Sequence, residues 1–194
     1  MVIILASASP RREVLLRALG VEFRVIPSLA EEAGSLPEET ECRTETLALR
    51  KATEVAARVE EGLVLGADTI VECDGRVLGK PRGMDEARQF LRQLSGRSHL
   101  VMTGLAFVEA GSGRMEIGHE VTEVRLRPLT DEEIEAYVRT GEPLDKAGGY
   151  AIQEGAAAFV EGIKGSFTNV VGLPLGRLRA LLLRFGIDPL SRKT

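Results

Sequence analysis

The chain has 194 residues, 44% of them hydrophobic and 28% charged, with a formal net charge of −4. That length lies near the top of the single-domain range, and the composition is that of a folded globular protein rather than a disordered one. A small acidic surplus argues against a protein that coats DNA or RNA, and so against a nucleic acid polymer as partner, while a local basic pocket for one nucleotide stays open.

No apolar run approaches the ~20 residues that span a bilayer, so no membrane association is expected. The start, Met1-Val-Ile-Ile-Leu-Ala-Ser, has no basic residue ahead of its apolar part. That part is also shorter than the ~7–15 residues of a signal-peptide core. It reads as the first strand, over 2–6, of a cytoplasmic protein. Ser9, a preferred N-cap, and Pro10 at the first helical position then open a helix whose apolar face is Val14, Leu15, Ala18 and Leu19, ended by Gly20. Residues 21–27 alternate as a second strand. An acidic loop around Glu31-Glu32 and Glu38-Glu39 leads into a helix over 41–60, closed by Gly62.

Residues 63–72 predict a strand, with Asp74-Gly75 as the turn of a hairpin into residues 76–79. A short amphipathic helix over 85–94 ends at Ser95-Gly96. Two longer β segments, 98–109 and 115–127, are joined by Gly-Ser-Gly at 111–113. Thr130 and Glu133 form a capping-box pattern for a helix reaching Thr140. Residues 141–172 are glycine-rich with short apolar patches. A last helix over 174–185 places Leu175, Leu178, Leu182 and Phe185 on one face. Interleaved strands and helices with hairpins predict an α/β fold with a mixed, twisted sheet flanked by helices. No repeat or linker interrupts it, and one domain over 1–194 is expected, with room for two lobes.

Four segments carry chemistry. Ser7-Ala-Ser-Pro-Arg11-Arg12 joins a strand end, hydroxyls, a helix N-terminus and two guanidinium groups, a combination suited to phosphate, although a capped helix with two solvated arginines has the same pattern. Asp68 in GADTIV is a carboxylate within an apolar strand, which points to a cleft-facing acid or to a carboxylate paired with a nearby lysine. Lys80, between Gly79 and Pro81, lies on a turn that can aim it at phosphate, although taken alone a plain surface lysine fits the pattern better. The glycines at 75 and 79 are one residue too close for a P-loop, and Pro81 stands where that motif needs Ser or Thr. Gln153 follows a glycine-rich stretch, and its amide can read a base edge, although a flexible connection with an exposed glutamine has the same pattern. Cys42 and Cys73 have no metal or redox spacing and read as buried or incidental thiols. His99 and His119 are too few for a histidine metal site, whereas carboxylates leave a hard cation open.

In order, LASASPRR (5–12), Glu31-Glu32, GADTIV (66–71), LGKP (78–81), LSGRSHLVMTG (94–104), GEPLDKAGGYAIQ (141–153) and NVVGLP (169–174) resemble the Maf-type nucleoside triphosphate pyrophosphatases over nearly the whole chain. The resemblance implies a two-lobed fold around a cleft, like that of the inosine triphosphatases, commonly in a homodimer. It implies Mg²⁺- or Mn²⁺-dependent hydrolysis of a nucleoside triphosphate to monophosphate and pyrophosphate. Asp68 falls on the family's proton-acceptor position. Arg11, Thr69 and Gln153 fall on positions tied to the branch that prefers dTTP and UTP, and they disfavour the 7-methyl-GTP branch. Ser7, Arg11, Arg12 and Lys80 would hold the triphosphate, with Glu32 and Asp68 on the metal. Glu154 departs from the family's usual glycine and sets an acid beside Gln153. A house-cleaning role in the nucleotide pool is implied, with a link to arrest of cell division. The alternative is a nucleotide-binding regulator without turnover.

Overall fold

The computed structural model describes residues 1–31 and 35–191. Its strands are β1 (Ile3–Leu5), β2 (Phe23–Val25), β3 (Leu63–Cys73), β4 (Arg76–Leu78), β5 (Ser98–Glu109), β6 (Met115–Leu126) and β7 (Val160–Lys164). Its helices are α1 (Pro10–Ala18), α2 (Thr40–Ala56), α3 (Met84–Leu94), α4 (Asp131–Arg139), α5 (Phe167–Val171) and α6 (Leu175–Arg184). Three 3₁₀ segments lie between α4 and β7, at Glu142–Asp145, Ala147–Gly149 and Gly155–Phe159.

The strands form one seven-stranded sheet in the order β2-β1-β3-β5-β6-β7, with β4 paired to β3. β1 runs parallel to β2 and to β3, whereas β4 on β3 and β7 on β6 are antiparallel. The sheet is therefore mixed, as the interleaved pattern predicts. Asp74 (φ 52°) and Gly75 (φ 74°) make the tight turn expected between β3 and β4. Every residue of β1 is buried, and such a run, apolar on both faces, needs cover on each side.

Two compact units divide the chain: 1–68, 103–120 and 172–194 in the first, 69–102 and 121–171 in the second. In the first, α2 lays Ala48, Ala52 and Val55 on Ile4, Ala6, Val64, Ala106 and Val108. Backbone approaches backbone there. A methyl on Gly66 would lie 2.1 Å from the Ala48 carbonyl oxygen, and one on Gly104 2.3 Å from the Thr44 carbonyl carbon. In the second, the Arg88 guanidinium of α3 binds Glu135 of α4, and Arg92 binds Asp131. The Thr130–Glu133 capping box at the start of α4 is complete in both directions. No helix of the described residues is long and apolar enough to cross a membrane.

Several expected details differ. Ser9 precedes α1 as expected, but among the described residues its side chain makes no capping bond; its backbone N–H instead donates to Ser7 Oγ at 3.2 Å. α1 buries Leu15 and Leu16, while Val14 is exposed. Its inward stripe runs through Arg12, three and four residues before those leucines, because that guanidinium has buried carbonyls to satisfy. α2 stops at Ala56, and Gly62 belongs to the approach to β3. α6 buries Leu181 with Leu178 and Leu182, and Leu175 is only half-buried. β7 escapes the hydrophobic pattern because it is an exposed edge strand carrying Gly162.

Candidate functional site

In the first unit, the close seat of α2 on Gly66 and Gly104 decides what stands near Asp68. Helical periodicity aligns Thr44, Ala48, Lys51, Ala52 and Val55 on the buried stripe of α2. Lys51 is the one charged group in that stripe, and its Nζ meets Asp68 Oδ1 at 2.6 Å with both side chains largely buried. The carboxylate in the apolar strand thus has a lysine partner. A buried lysine–carboxylate pair holds its geometry because either charge alone in that setting is costly.

The end of β1 is tied to the same stretch of β3. Arg12 Nη1 donates to the Ala67 carbonyl at 2.9 Å and to Ser7 Oγ at 3.2 Å, and its Nε donates to the Gly172 carbonyl at 2.9 Å. Ser7 is buried, Arg12 half-buried. Arg11, on the first turn of α1, is also half-buried. The structure therefore brings Ser7, Arg12 and the Ala67–Asp68 step together through hydrogen bonds of ordinary length. Glu32 lies outside the described residues. Among the described residues, no three His, Cys, Asp or Glu side chains gather as a metal cluster.

The second unit holds Thr69, Lys80 and Gln153. Thr69 is half-buried and, one residue after Asp68 on β3, points to the opposite face. Lys80 and Gln153 are both exposed. Their segments are joined by one backbone bond, from the Gly148 N–H to the Gly79 carbonyl at 3.0 Å. Gly148 adopts φ 71°, and a methyl on it would press on Val71 at 3.0 Å, so a glycine is required at that join.

The segment that ends in Gln153 is pinned further. Tyr150 Oη and His99 Nε2 share a hydrogen bond of 2.6 Å, their rings edge-to-face at 5.4 Å. The Ala151 N–H donates to Tyr137 Oη, whose own hydroxyl donates to Glu142. Burial pushes the His99 imidazole down to about 4 and holds the Tyr150 phenol well above its ordinary value, so both stay neutral near pH 7. Glu154, the acid beside Gln153, pairs with the buried ammonium of Lys146 at 3.2 Å. That ammonium also binds Asp145 and the Glu142 carbonyl. The acid is thereby committed to a lysine. Of the two cysteines, Cys73 is buried, its thiol pushed up by burial, and Cys42 is half-buried; both are free thiols.

The family model for "Maf-like protein" matches residues 2–185. The chain belongs to the Maf-like family. This Maf-like protein is 50% identical over 191 residues to a protein of Pelotomaculum thermopropionicum, covering 97% of this chain and 98% of that one. It is 51% identical over 190 residues to one of Moorella thermoacetica, covering 98% of each. It is 51% identical over 185 residues to one of Symbiobacterium thermophilum, covering 95% of this chain and 94% of that one. All three carry the name dTTP/UTP pyrophosphatase. The solved structure of the Staphylococcus aureus Ham1 protein superposes with a TM-score of 0.48 at 13% identity, over 65% of this chain and 72% of that one.

Lys51, His99, Tyr150 and Lys146 were not among the expected site residues. For Lys51 a signal exists, a lysine on the apolar stripe of a helix, where a charge needs a partner. For the other three, no local pattern marks which side chain they meet.

Proposed function

We propose that this Maf-like protein hydrolyses dTTP and UTP at the α–β phosphoanhydride bond, releasing the nucleoside monophosphate and pyrophosphate. The observation that carries the reading is end-to-end identity of about half with relatives named for that activity. Asp68, held by Lys51, fits the proton acceptor that such a reaction needs, because a water attacking phosphorus must give up a proton in or near the transition state. The ammonium keeps the carboxylate in one orientation before substrate arrives, so less reorganisation is left for the reacting state.

Arg11, Arg12 and Lys80 supply positive charge for the triphosphate and for the pyrophosphate as it leaves. Arg12, tied to Ser7, Ala67 and Gly172, holds its guanidinium beside the end of β1 in this reading. Thr69 and Gln153 are assigned to the nucleoside, with the Gln153 amide offering a donor and an acceptor to a pyrimidine edge.

A divalent cation, Mg²⁺ or Mn²⁺, belongs to the reading. Asp68 fits it as a hard oxygen donor, and Mg²⁺ characteristically takes one or two protein carboxylates and completes its shell with phosphate oxygens and water. Glu32 is assigned as the second carboxylate. When bound, the cation would screen the charge of the triphosphate and of the leaving pyrophosphate. A cytoplasmic homodimer completes the reading, supported by the family resemblance.

The test is pyrophosphate release with Mg²⁺ or Mn²⁺ across dTTP, UTP, CTP, ATP, GTP, ITP and 7-methyl-GTP. Preferred turnover of dTTP and UTP, with the monophosphate as co-product, is expected. Turnover confined to a purine would overturn the assignment of Arg11, Thr69 and Gln153 while keeping the reaction. Tight nucleotide binding without any turnover would replace the enzyme by a regulator.

A further inference from the structure

The stretch from Gly148 to Gln153 is held by the Ala151 N–H bond to Tyr137 and by two further anchors of different kind. At its start, the Gly148 N–H bonds the Gly79 carbonyl, next to Lys80, and the residue leans on Val71. Near its end, the side chain of Tyr150 runs inward and its hydroxyl meets His99 Nε2 at 2.6 Å. Tyr150, Ala151 and Ile152 are all buried, and the chain then turns out to the exposed Gln153. His99 is 3% exposed, and among the described residues its Nδ1 has no hydrogen-bonding partner. A buried imidazole with one nitrogen unsatisfied costs stability that a leucine or phenylalanine on β5 would not. Its evident return is the bond to Tyr150.

We infer that His99 is a positioning residue for nucleotide selection: by holding the Tyr150 hydroxyl it fixes where Gln153 presents its amide. This rests on the assignment of Gln153 to the base under the proposed function. The Gly79–Gly148 bond is separate from the His99–Tyr150 bond, so loss of the latter loosens the Gln153 end of the segment, which then rests on the Ala151 N–H bond to Tyr137, and leaves the Lys80 end tied. An interaction with the base is made in the ground state and the transition state alike, so weakening it raises KM and spares kcat. The effect is therefore on affinity and on choice among bases.

Three variants test it: Tyr150→Phe, which removes one oxygen and keeps the ring contact; His99→Phe; and His99→Gln, whose amide can still meet a phenol. Amide hydrogen exchange over 148–154 and steady-state kinetics with dTTP, UTP and CTP are measured on each. In Tyr150→Phe and His99→Phe, exchange at Ala151–Gln153 should quicken and KM for dTTP should rise about threefold to tenfold, the worth of one hydrogen bond. In both, the preference for dTTP over CTP should narrow and kcat should stay near wild type, while His99→Gln recovers part of each loss. Unchanged exchange, or a lower melting temperature with unchanged KM and preference, would overturn the inference and reduce His99 to a packing residue. A fall confined to kcat would also overturn it. A wild-type protein silent toward every triphosphate would instead defeat the proposed function, and the exchange measurement would then decide alone whether His99 holds the segment.

Discussion

The Nζ of Lys51 sits 2.6 Å from Oδ1 of Asp68, a lysine from the buried stripe of α2 against a carboxylate near the middle of β3. Both side chains are nearly shut off from water, at 15% and 11% exposure. The pair exists because α2 can approach the sheet to backbone contact at Gly66, two residues before Asp68. Helix seat, lysine and carboxylate therefore form one unit, and each can be disturbed separately.

Replacing Lys51 with Met keeps the length of the side chain and leaves the carboxylate alone in its largely buried position. Stability should fall by about 3 kcal/mol, as for other broken buried pairs. Turnover should fall with it, and Lys51→Arg should restore part of both. Urea denaturation and pyrophosphate release on the two variants check this.

Asp68→Asn removes the proposed proton acceptor while keeping shape. Its kcat should drop by ~10²–10⁴, the usual worth of a general base. The variant should still bind dTTP. Turnover above about a tenth of wild type would remove Asp68 from that role.

Gly66→Ala places a methyl 2.1 Å from the Ala48 carbonyl oxygen, a contact with rigid backbone that no side-chain rotation relieves. The helix must back away. A loss of about 3 kcal/mol or more is expected, at the upper end of overpacking effects, with activity falling as Lys51 is drawn from Asp68. Gly176→Ala, where a methyl would meet nothing within 4 Å, is the control and should change stability little.

Acid should loosen the second unit through His99. Its folded value of about 4 lies below the ordinary 6.5, since burial disfavours the charged ring. The unfolded chain therefore binds the proton more readily in that window. The stability from keeping the ring neutral is whole above pH 6.5 and is lost as the pH falls toward 4, by about 3 kcal/mol. Denaturation of wild type and His99→Gln between pH 4 and 7 checks it: the slope should flatten in the variant.

Thr130→Ala removes half of the capping box at the start of α4, where the Thr130 hydroxyl accepts from the Glu133 N–H and Glu133 accepts from the Thr130 N–H. The cost should be about 1 kcal/mol, read from the midpoint of thermal unfolding, with kcat and KM unmoved.

The hairpin at Asp74-Gly75, the long pair β5–β6, the amphipathic α3 and the capping box of α4 were all legible in the sequence, because each depends on residues within one turn or one hydrophobic period. The stripe of α1 was read one position off, since an apolar run of Val14, Leu15 and Leu16 leaves its phase open until the carbonyls that Arg12 serves are in place. β7 stayed hidden because an exposed edge strand needs no apolar alternation. The motifs at Ser7–Arg12, Asp68, Lys80 and Gln153 stood out as chemistry-bearing residue types in turns and strand ends, and their shared order carried the family.

By itself the sequence determined most of the elements, though not β7 or α5, together with the mixed sheet and the family, because period, caps, turns and motif order are written along the chain. Only the tertiary structure decided the partners. Lys51 meets Asp68, His99 meets Tyr150, Lys146 takes up Glu154, and Gly148 bonds Gly79. Those partners lie 8 to 69 residues apart along the chain, and a hydrogen bond reaches about 3 Å. Which distant groups fall within that reach is set by how closely helix and strand backbones pack, and no local pattern specifies it.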